Sequence, residues 1–445
     1  MGEFIKLDTP CGEIKGLRFE NHMQFRGIRY ARAARWEYPS IVESWDGIYD
    51  ACEFGACSYQ RRGFEEDEVC NAFYHKEFRR GLSFTYSEDC LFLNIWAPEN
   101  KKDCPVIVYI HGGSFTGGSS NEGHISGEKF AEDGVVFVAI NYRLGPFGFC
   151  SHPDLTTKDG VCGNFGLFDQ IAAIKWITRN IAAFGGNPDK ITLVGQSAGA
   201  MSVDILISCD ECKGMFSSAV MMSGAGMQRA AAKPEAPEKT RKFWDAIIKN
   251  ANVNSIEELK KVDERTLFYA WSDACKADKL SMLHTFPVKD GKIITDTSFT
   301  MRTIPDMPII LGATITDMIP IVLEAITKRY ASKCKHHKNP CYVYNFDRLL
   351  PGDNSGAWHS CDLLYAFSTL ENNWRPFEKT DFEISNKMHD MLCAFASTQD
   401  PNCDSIPKWE SGGKMPLHLC ESTYTGKWRT KQLFLNTFGN KGAEF

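Results

Sequence analysis

Short apolar runs rich in Val and Ile recur along the chain, each seven to nine residues long. Most end at a glycine or a polar residue, which is where a buried strand stops. The runs occupy residues 104–112, 134–142, 190–196, 217–224, 307–314 and 341–347. Because nearly continuous apolar strands belong to a sheet that is buried on both faces, the pattern predicts a central, mainly parallel sheet.

Between these runs, apolar residues recur every three or four positions, the spacing of one face of a helix. The longest such stretch is residues 164–184, and shorter ones lie at 240–251 and 255–262. Ser255 stands where a helix N-cap is expected. Strands that alternate with helices predict an α/β fold in which helices cover both sides of the sheet.

The number of domains is predicted from length and continuity. The chain has 445 residues, enough for a large core, and contains no internal repeat or low-complexity linker. We therefore expect one α/β domain over residues 1–445. Within it, a helical, cap-like segment is expected at about 227–285.

Composition excludes some classes of function. Apolar residues make up 43% of the chain and charged residues 24%, which is ordinary for a globular protein. The net charge is −6 and the basic residues are scattered, so we expect no nucleic-acid partner. Two short basic runs, at 61–64 and 333–338, are interpreted as solvated surface.

The N-terminal residues have no apolar core of the length found in signal peptides. No run approaches the roughly 18 apolar residues of a membrane span. We therefore expect a cytoplasmic protein with no membrane partner. The sequence leaves its oligomeric state open.

The 17 cysteines raise the possibility of a thiol or metal site. Cys209 and Cys212 form an isolated C-x-x-C pair. A second cluster consists of Cys334, His336, His337 and Cys341. A structural zinc site needs two ligand pairs at the usual spacing, and neither cluster supplies them. We favour incidental thiols and a surface loop, and we predict no metal and no organic cofactor.

The apolar run at 190–196 leads into a G-x-S-x-G motif at 195–199, and a helix-forming stretch follows. A sharp turn between strand and helix would expose the hydroxyl of Ser197. Gly195 and Gly199 lack the Cβ atoms that would clash in such a turn. The first N–H groups of the helix would face a developing negative charge. This placement indicates a nucleophilic serine rather than an ordinary turn.

A second glycine-rich stretch, residues 109–120, follows the strand predicted at 104–112. It reads His-Gly-Gly-Ser-Phe at 111–115, and its glycines would let backbone N–H groups point inward. An ordinary glycine-rich turn is the alternative. With the motif at 195–199 downstream, we favour an oxyanion-binding loop, in which His111 has a structural role.

Several blocks of the sequence occur in the order seen in one family. They lie at 25–33, 87–98, 141–149, 163–170, 180–200 and 393–402. Together they resemble the type-B carboxylesterases, the cholinesterase and carboxylesterase branch of the α/β-hydrolase fold. The resemblance runs over nearly the whole chain. It implies an α/β-hydrolase architecture with a catalytic triad in the order nucleophile, acid, histidine.

The resemblance implies Ser197 as nucleophile, Asp317 as acid and His359 as base. Asp317 stands where the family usually has glutamate followed by glycine, and its reach is one methylene shorter. His359 lies in the block at 356–367, which resembles the family's histidine block. Asp362 matches an acidic family position and is expected to brace the loop at the start of a helix.

The resemblance also implies how the oxyanion would be bound. The backbone N–H groups of Gly113, Ser114 and Ala198 would donate to it, and Gly112 would shape the loop. Ser114 replaces a glycine found in many family members, but only its N–H is needed. The residues expected to contact substrate are Phe115, Gln196 and Trp358. For Phe115 and Trp358, core packing is the alternative.

Three further departures from the family affect the expected substrate and thiols. Gln196 replaces a glutamate, which argues against a cationic, choline-type substrate. Cys57 and Cys90 fall where secreted members have a disulfide, and here we expect reduced thiols. Only 41 residues, 318–358, separate Asp317 from His359, where the family usually has a longer helical insertion. A more open pocket is therefore expected.

The function predicted from the sequence is a serine carboxylesterase that acts on small-molecule esters, with short-to-medium acyl groups expected. A catalytically inactive, cholinesterase-like binding module is the main alternative, and a thiol or metal protein is another. A lipase is less favoured because no clear apolar lid is present. Retention of Ser197, Asp317 and His359 together favours the enzyme.

Overall fold

The chain folds around one large sheet in a computed structural model that describes residues 2–278, 284–295, 299–334 and 340–429. The strands, numbered in chain order, are β1 Glu3–Thr9, β2 Gly12–Arg18, β3 His22–Arg29, β4 Ala31–Arg32, β5 Ser40–Ile41, β6 Tyr49–Asp50, β7 Cys57–Ser58, β8 Tyr86–Ser87, β9 Phe92–Pro98, β10 Cys104–Ile110, β11 Val136–Ile140, β12 Gly186–Gln196, β13 Ser218–Met222, β14 Ile309–Thr314, β15 Cys341–Phe346, β16 Leu417–Leu419 and β17 Tyr424–Thr425. The large sheet has the order β1-β2-β3-β9-β11-β10-β12-β13-β14-β15-β16-β17, with β6 beside β2.

The middle of this sheet is parallel. Strands β11, β10, β12, β13, β14, β15 and β16 pair in parallel, whereas β1, β2, β3, β9 and β17 extend the sheet with antiparallel pairs. The six apolar runs of the sequence correspond to β10 to β15, so the prediction of a mainly parallel central sheet is confirmed. The carboxyl ends of parallel strands meet at one edge, where α/β proteins bind their ligands.

Helices connect most of the parallel strands. They are α1 Asp67–Cys70, α2 Ala72–Tyr74, α3 Glu128–Glu132, α4 Gly145–Gly148, α5 Phe165–Asn180, α6 Ala198–Leu206, α7 Met227–Ala230, α8 Arg241–Asn250, α9 Ile256–Leu259, α10 Glu264–Ala277, α11 Pro320–Cys334, α12 Asp362–Ala366 and α13 Lys379–Thr398. Shorter 3₁₀ or π turns lie at Arg61–Gly63, His75–Arg79, Pro153–Leu155, Ile181–Phe184, Asp210–Cys212, Pro237–Thr240 and Leu370–Asn372. The predicted N-cap is confirmed, since Ser255 Oγ accepts the N–H of Glu258 at 3.2 Å.

Strand β10 explains why the central runs are apolar on both faces. Val106 and Val108 face one buried cluster, together with residues of α5 and α6. Ile107 and Tyr109 face the opposite cluster, together with residues of α13. Removing one such fully buried aliphatic side chain typically costs about 2–5 kcal/mol, so these layers fix the positions of the strand ends.

The helices of the segment at about 227–285 have a hydrophobic cluster of their own. Residues of α8, α9 and α10 pack there against Trp36, Phe147 and Phe165. No helix within the described ranges combines the length and the apolar character that crossing a bilayer requires.

Candidate active site

Ser197 lies between the end of β12 and the start of α6, as the motif predicts. Its backbone has φ 54° and ψ −122°, a conformation that costs a non-glycine residue about 1–3 kcal/mol. Two backbone hydrogen bonds fix this residue: its N–H donates to Met222 O at 2.8 Å, and its carbonyl accepts from Met201 at 3.0 Å. The strand and helix thus hold the serine in a strained turn.

Glycines allow three close approaches around this turn. A Cβ atom on Gly195 would lie 2.3 Å from Gly199 O, and one on Gly199 would lie 2.0 Å from Ile110 O. A Cβ on Gly112 would lie 2.6 Å from Gln196 O. The explanation given for Gly195 and Gly199 is therefore confirmed, and Gly112 brings the loop after β10 against the serine.

Asp317 and His359 come together although 41 residues separate them. His359 Nδ1 is 2.7 Å from Asp317 Oδ1. Thr314 Oγ1 donates to the other carboxylate oxygen at 3.0 Å, and Met318 N–H donates to Oδ1 at 2.8 Å. The two loops that carry the pair also form a β-bridge between Thr316 and Trp358.

Opposing effects act on the pKa values of this pair. Burial by itself would raise the pKa of Asp317, but the charge and hydrogen bond of His359 outweigh it and lower the pKa. Burial would lower the pKa of His359, but the charge and hydrogen bond of Asp317 outweigh it and raise the pKa. The Asp317 carboxylate therefore stabilises a proton on His359, as a general base requires.

The other imidazole nitrogen faces Gln196. His359 Nε2 is 3.2 Å from Gln196 Nε2. With the ring proton on Nδ1 toward Asp317, Nε2 has a free lone pair and accepts the amide N–H of Gln196. Within the described part of the chain, Ser197 Oγ makes no hydrogen bond, to His359 or to any other group. An amide N–H therefore occupies the position where a serine O–H would donate.

The loop after β10 has an unusual backbone. Its φ angles are positive at Gly113 (111°), Ser114 (53°), Phe115 (59°) and Gly118 (100°). Among the described residues, nothing accepts a hydrogen bond from the N–H groups of Gly113, Ser114 and Ala198. Uncommitted N–H groups beside the strained serine are the groups needed to bind an oxyanion.

His111 braces this loop. Its Nδ1 donates to Gly112 O at 2.8 Å, and its ring stacks on Tyr142 with 4.5 Å between ring centroids. Burial lowers the pKa of His111 to about 4, so the ring is neutral near pH 7. Its geometry matches the structural role expected from the sequence.

These groups border one cavity of about 500 Å³. Its wall includes Ser197, His359, Gln196, Gly112, Gly113 and Ser114. Of the described residues between 318 and 358, Met318 lines the cavity and is 72% exposed. From α10 and the residues after it come Trp271, Cys275 and Thr285.

Phe115 and Trp358, which the sequence analysis expects to contact substrate, do not line this cavity. Phe115 is fully buried against Phe149 and Phe286, because its positive φ turns the side chain toward the core. Trp358 is 6% exposed and packs against Phe73 and Tyr74. Both side chains are buried, which favours core packing, the alternative named for them.

One wall of the cavity carries buried charges that the sequence interpretation missed. Arg62 belongs to the basic run interpreted as solvated surface, but its side chain is only 5% exposed and lies 2.6 Å from Glu122. Arg79 pairs with Asp67 at 2.6 Å in the same wall. Arg61, by contrast, is exposed and pairs with Glu65. Neighbouring arginines have no local signal that tells the buried one from the exposed one.

The cysteines of interest are all free thiols in the structure. Cys57 and Cys90 are buried, and Cys57 Sγ lies 2.9 Å from Ser119 Oγ. Cys209 and Cys212 are buried beyond the end of α6. Cys334 and Cys341 are buried as well, rather than in a surface loop, while His336 and His337 lie outside the described residues.

Asp362 is a second carboxyl near the Asp317–His359 pair. It lies in the first turn of α12, is fully buried, and accepts the hydroxyl of Tyr344 at 2.9 Å. Burial, with a smaller contribution from the charge of Asp317, raises the pKa of Asp362 to about 6. Its place at the helix start agrees with the bracing position expected for it.

Comparison with known proteins decides the family. A sequence model described as the Carboxylesterase family matches residues 4–330 and 320–436, most of the chain. The chain belongs to the carboxylesterase family. This carboxylesterase is therefore a carboxylic ester hydrolase of the α/β-hydrolase superfamily, and the sequence-based prediction of family and enzyme class is confirmed.

Relatives and solved structures agree with this assignment. The para-nitrobenzyl esterase of Bacillus subtilis is 28% identical, over 90% of this chain and 91% of that protein. The fumonisin B1 esterase of Sphingopyxis macrogoltabida is 29% identical, over 77% of this chain and 64% of that protein. A solved carboxylesterase of Geobacillus stearothermophilus superposes with a TM-score of 0.79 at 26% identity, covering 96% of this chain and 99% of that structure.

Proposed function

We propose that this carboxylesterase hydrolyses short-to-medium acyl esters through a Ser197–His359–Asp317 triad and an acyl-enzyme intermediate. The observation that carries the proposal is the 2.7 Å contact between His359 Nδ1 and Asp317 Oδ1, with His359 and the strained Ser197 bordering the same cavity. Asp317, although shorter than the usual glutamate, reaches the imidazole.

Catalysis begins when the Gln196 amide releases its hydrogen bond to His359 Nε2 and the Ser197 hydroxyl donates to that nitrogen instead. A single hydrogen bond between neutral groups is worth about 0.5–1.5 kcal/mol, so exchanging one such bond for another requires little free energy. His359 takes the serine proton as Oγ attacks the ester carbonyl. Asp317 holds the Nδ1 proton and stabilises the imidazolium.

The tetrahedral oxyanion receives hydrogen bonds from the backbone N–H groups of Gly113, Ser114 and Ala198, with Gly112 shaping the loop. The alcohol leaves with a proton from His359. A water molecule then loses a proton to His359 and attacks the acyl-enzyme; as the bond to Oγ breaks, His359 returns that proton to Oγ, which releases the carboxylic acid and restores Ser197. Loss of one oxyanion donor typically costs about 2.7–4 kcal/mol of transition-state stabilisation.

The cavity supports a limited acyl length. Its volume of about 500 Å³ must hold both the acyl group and part of the alcohol. Trp271 and Cys275 of α10 border it, which supports a cap-like role for the helical segment at about 227–285. Gln196 is the predicted substrate-contacting residue that remains at the cavity wall.

Hydrolysis of p-nitrophenyl esters from acetate to laurate tests the proposal. We expect the highest kcat/KM at short-to-medium chains and no serine-dependent turnover in Ser197→Ala. Ser422→Ala, at an exposed serine, is the matched control and should keep wild-type activity. If the folded wild type cleaves no ester in the series, the proposal is wrong and a catalytically inactive binding module is favoured.

A further inference from the structure

Residues 57–62 run alongside the end of the oxyanion loop, although they are far from it in sequence. Hydrogen bonds and an ion pair join the two segments. Cys57 Sγ lies 2.9 Å from Ser119 Oγ, and Arg62 lies 2.6 Å from Glu122. Between these contacts, the side chain of Gln60 bonds directly to the backbone of the loop at Gly118.

The Gln60 amide makes a reciprocal pair of hydrogen bonds with Gly118. Its Oε1 accepts the N–H of Gly118 at 3.0 Å, and its Nε2 donates to Gly118 O at 2.9 Å. The same Nε2 also donates to Ser58 O at 3.1 Å, which ties the amide to its own segment. Gln60 is only 3% exposed, so water does not replace these bonds readily.

Gly118 in turn lies against the peptide group that carries an oxyanion donor. A Cβ on Gly118 would lie 2.3 Å from Gly112 O and 2.4 Å from His111 Nδ1. Gly112 O belongs to the same planar peptide unit as the N–H of Gly113. Because the unit is rigid, restraining its carbonyl oxygen also restrains the direction of that N–H.

We propose that Gln60 is a positioning residue, which holds Gly118 against the Gly112–Gly113 peptide and so aims the Gly113 N–H at the oxyanion. This inference rests on the proposed function, because it concerns the proposed transition state. Gln60 bonds to the loop and not to the reacting atoms. Its loss should therefore act on the transition state rather than on binding of the intact ester.

Gln60→Met tests this role, because methionine has nearly the same length and shape but lacks both amide groups. We expect kcat to fall by at least about tenfold while KM changes by less than about threefold, since small displacements of positioned groups can cost about a hundredfold. An aryl boronic acid, which forms an anionic tetrahedral adduct with a serine, should bind more weakly by the same factor as kcat/KM falls. Rates are expressed per active site.

The matched control is Gln24→Met. Gln24 is also a buried glutamine, with hydrogen bonds to His22 and Arg26, but it does not border the cavity. This variant should lower the melting temperature as much as Gln60→Met does and leave kcat and boronate affinity unchanged. Gln60→Glu keeps an acceptor for the Gly118 N–H and should recover part of the lost kcat.

The kcat values and boronate affinities of these variants either support or overturn the positioning role of Gln60. Wild-type kcat and boronate affinity in Gln60→Met, or equal losses in Gln24→Met, would overturn it. If Gln60→Met does not fold, Gln60→Leu, which also lacks both amide groups, takes its place, and wild-type kcat in that variant would overturn the inference equally. Failure of the wild type to hydrolyse any ester would instead overturn the proposed function, which is a separate result.

Discussion

The two sides of the candidate site are held in place by different means. Ser197 and the loop after β10 depend on backbone geometry, with positive φ angles and glycines that admit close contacts. Asp317 and His359 depend on a side-chain hydrogen bond between loops that are distant in sequence, and the hydroxyl of Thr314 supports it locally. Backbone geometry leaves a local motif in the sequence, whereas the side-chain pair exists only once the strands have assembled.

The largest expected effect comes from the side-chain pair. Asp317→Asn should lower kcat by about 10⁴-fold, because the amide neither stabilises the imidazolium nor enforces the Nδ1–H tautomer. Steady-state kinetics on a p-nitrophenyl ester measure this loss. Asp317→Glu keeps the carboxylate and should retain far more activity. A loss of less than tenfold in Asp317→Asn would mean that another group orients His359.

The backbone geometry around Ser197 is tested by measuring the stability of a glycine variant. In Gly199→Ala the new Cβ would meet Ile110 O at 2.0 Å. Because a backbone oxygen in the central sheet has no room to move, the free energy of unfolding should fall by about 3 kcal/mol, the upper end of overpacking costs. Urea unfolding measures it. Gly47→Ala, with open space around the Cβ and a φ of 66°, should cost only about 1 kcal/mol.

Gln196 lies where the two sides meet, and a charge there should change the pH profile. Since His359 accepts a proton only when neutral, kcat/KM falls as pH drops through its pKa. A carboxylate in Gln196→Glu would favour the imidazolium and raise the pKa of His359 further. The acid limb of the kcat/KM–pH profile should therefore move to higher pH. Gln196→Met, which is uncharged, is the control, and an acid limb at the same pH in both variants would contradict the 3.2 Å contact.

Asp362→Asn should give the smallest shift, in the opposite direction. The charge of Asp362 helps to raise the pKa of His359, so its removal should move the acid limb to lower pH.

The same variant should also change how stability depends on pH. Because the native pKa of Asp362, about 6, lies above its unfolded value, its ionisation costs stability as pH rises from about 4 to 6. The stability gained by the variant should grow over this range and then level off. A gain independent of pH would contradict the assigned pKa.

Much of the fold follows from the sequence alone. Strands β10 to β15 are buried on both faces, so each appears as an apolar run that needs no tertiary information. The turn at Ser197 is equally local, because its glycines and its strand are adjacent in the chain. The pairing of Asp317 with His359 came from the family resemblance, since nothing between residues 318 and 358 specifies it.

The side-chain positions that the sequence does not reveal depend on long-range packing. Phe115 lies beside the oxyanion loop in sequence, but the positive φ at this residue turns its ring into the core. Arg62 and Arg61 are adjacent, but only Arg62 meets a buried partner, Glu122. Gln60 has no motif that marks it, and its amide matters because the chain brings it to Gly118.

The proposed mechanism requires that Ser197 becomes acylated during turnover. The most direct test is to mix the enzyme with p-nitrophenyl butyrate, quench in acid within the first turnover, and map the adduct by mass spectrometry. We expect a burst of p-nitrophenol and a butyryl group on the peptide that contains Ser197. Turnover with no adduct on Ser197, or with an adduct on a cysteine instead, would contradict it.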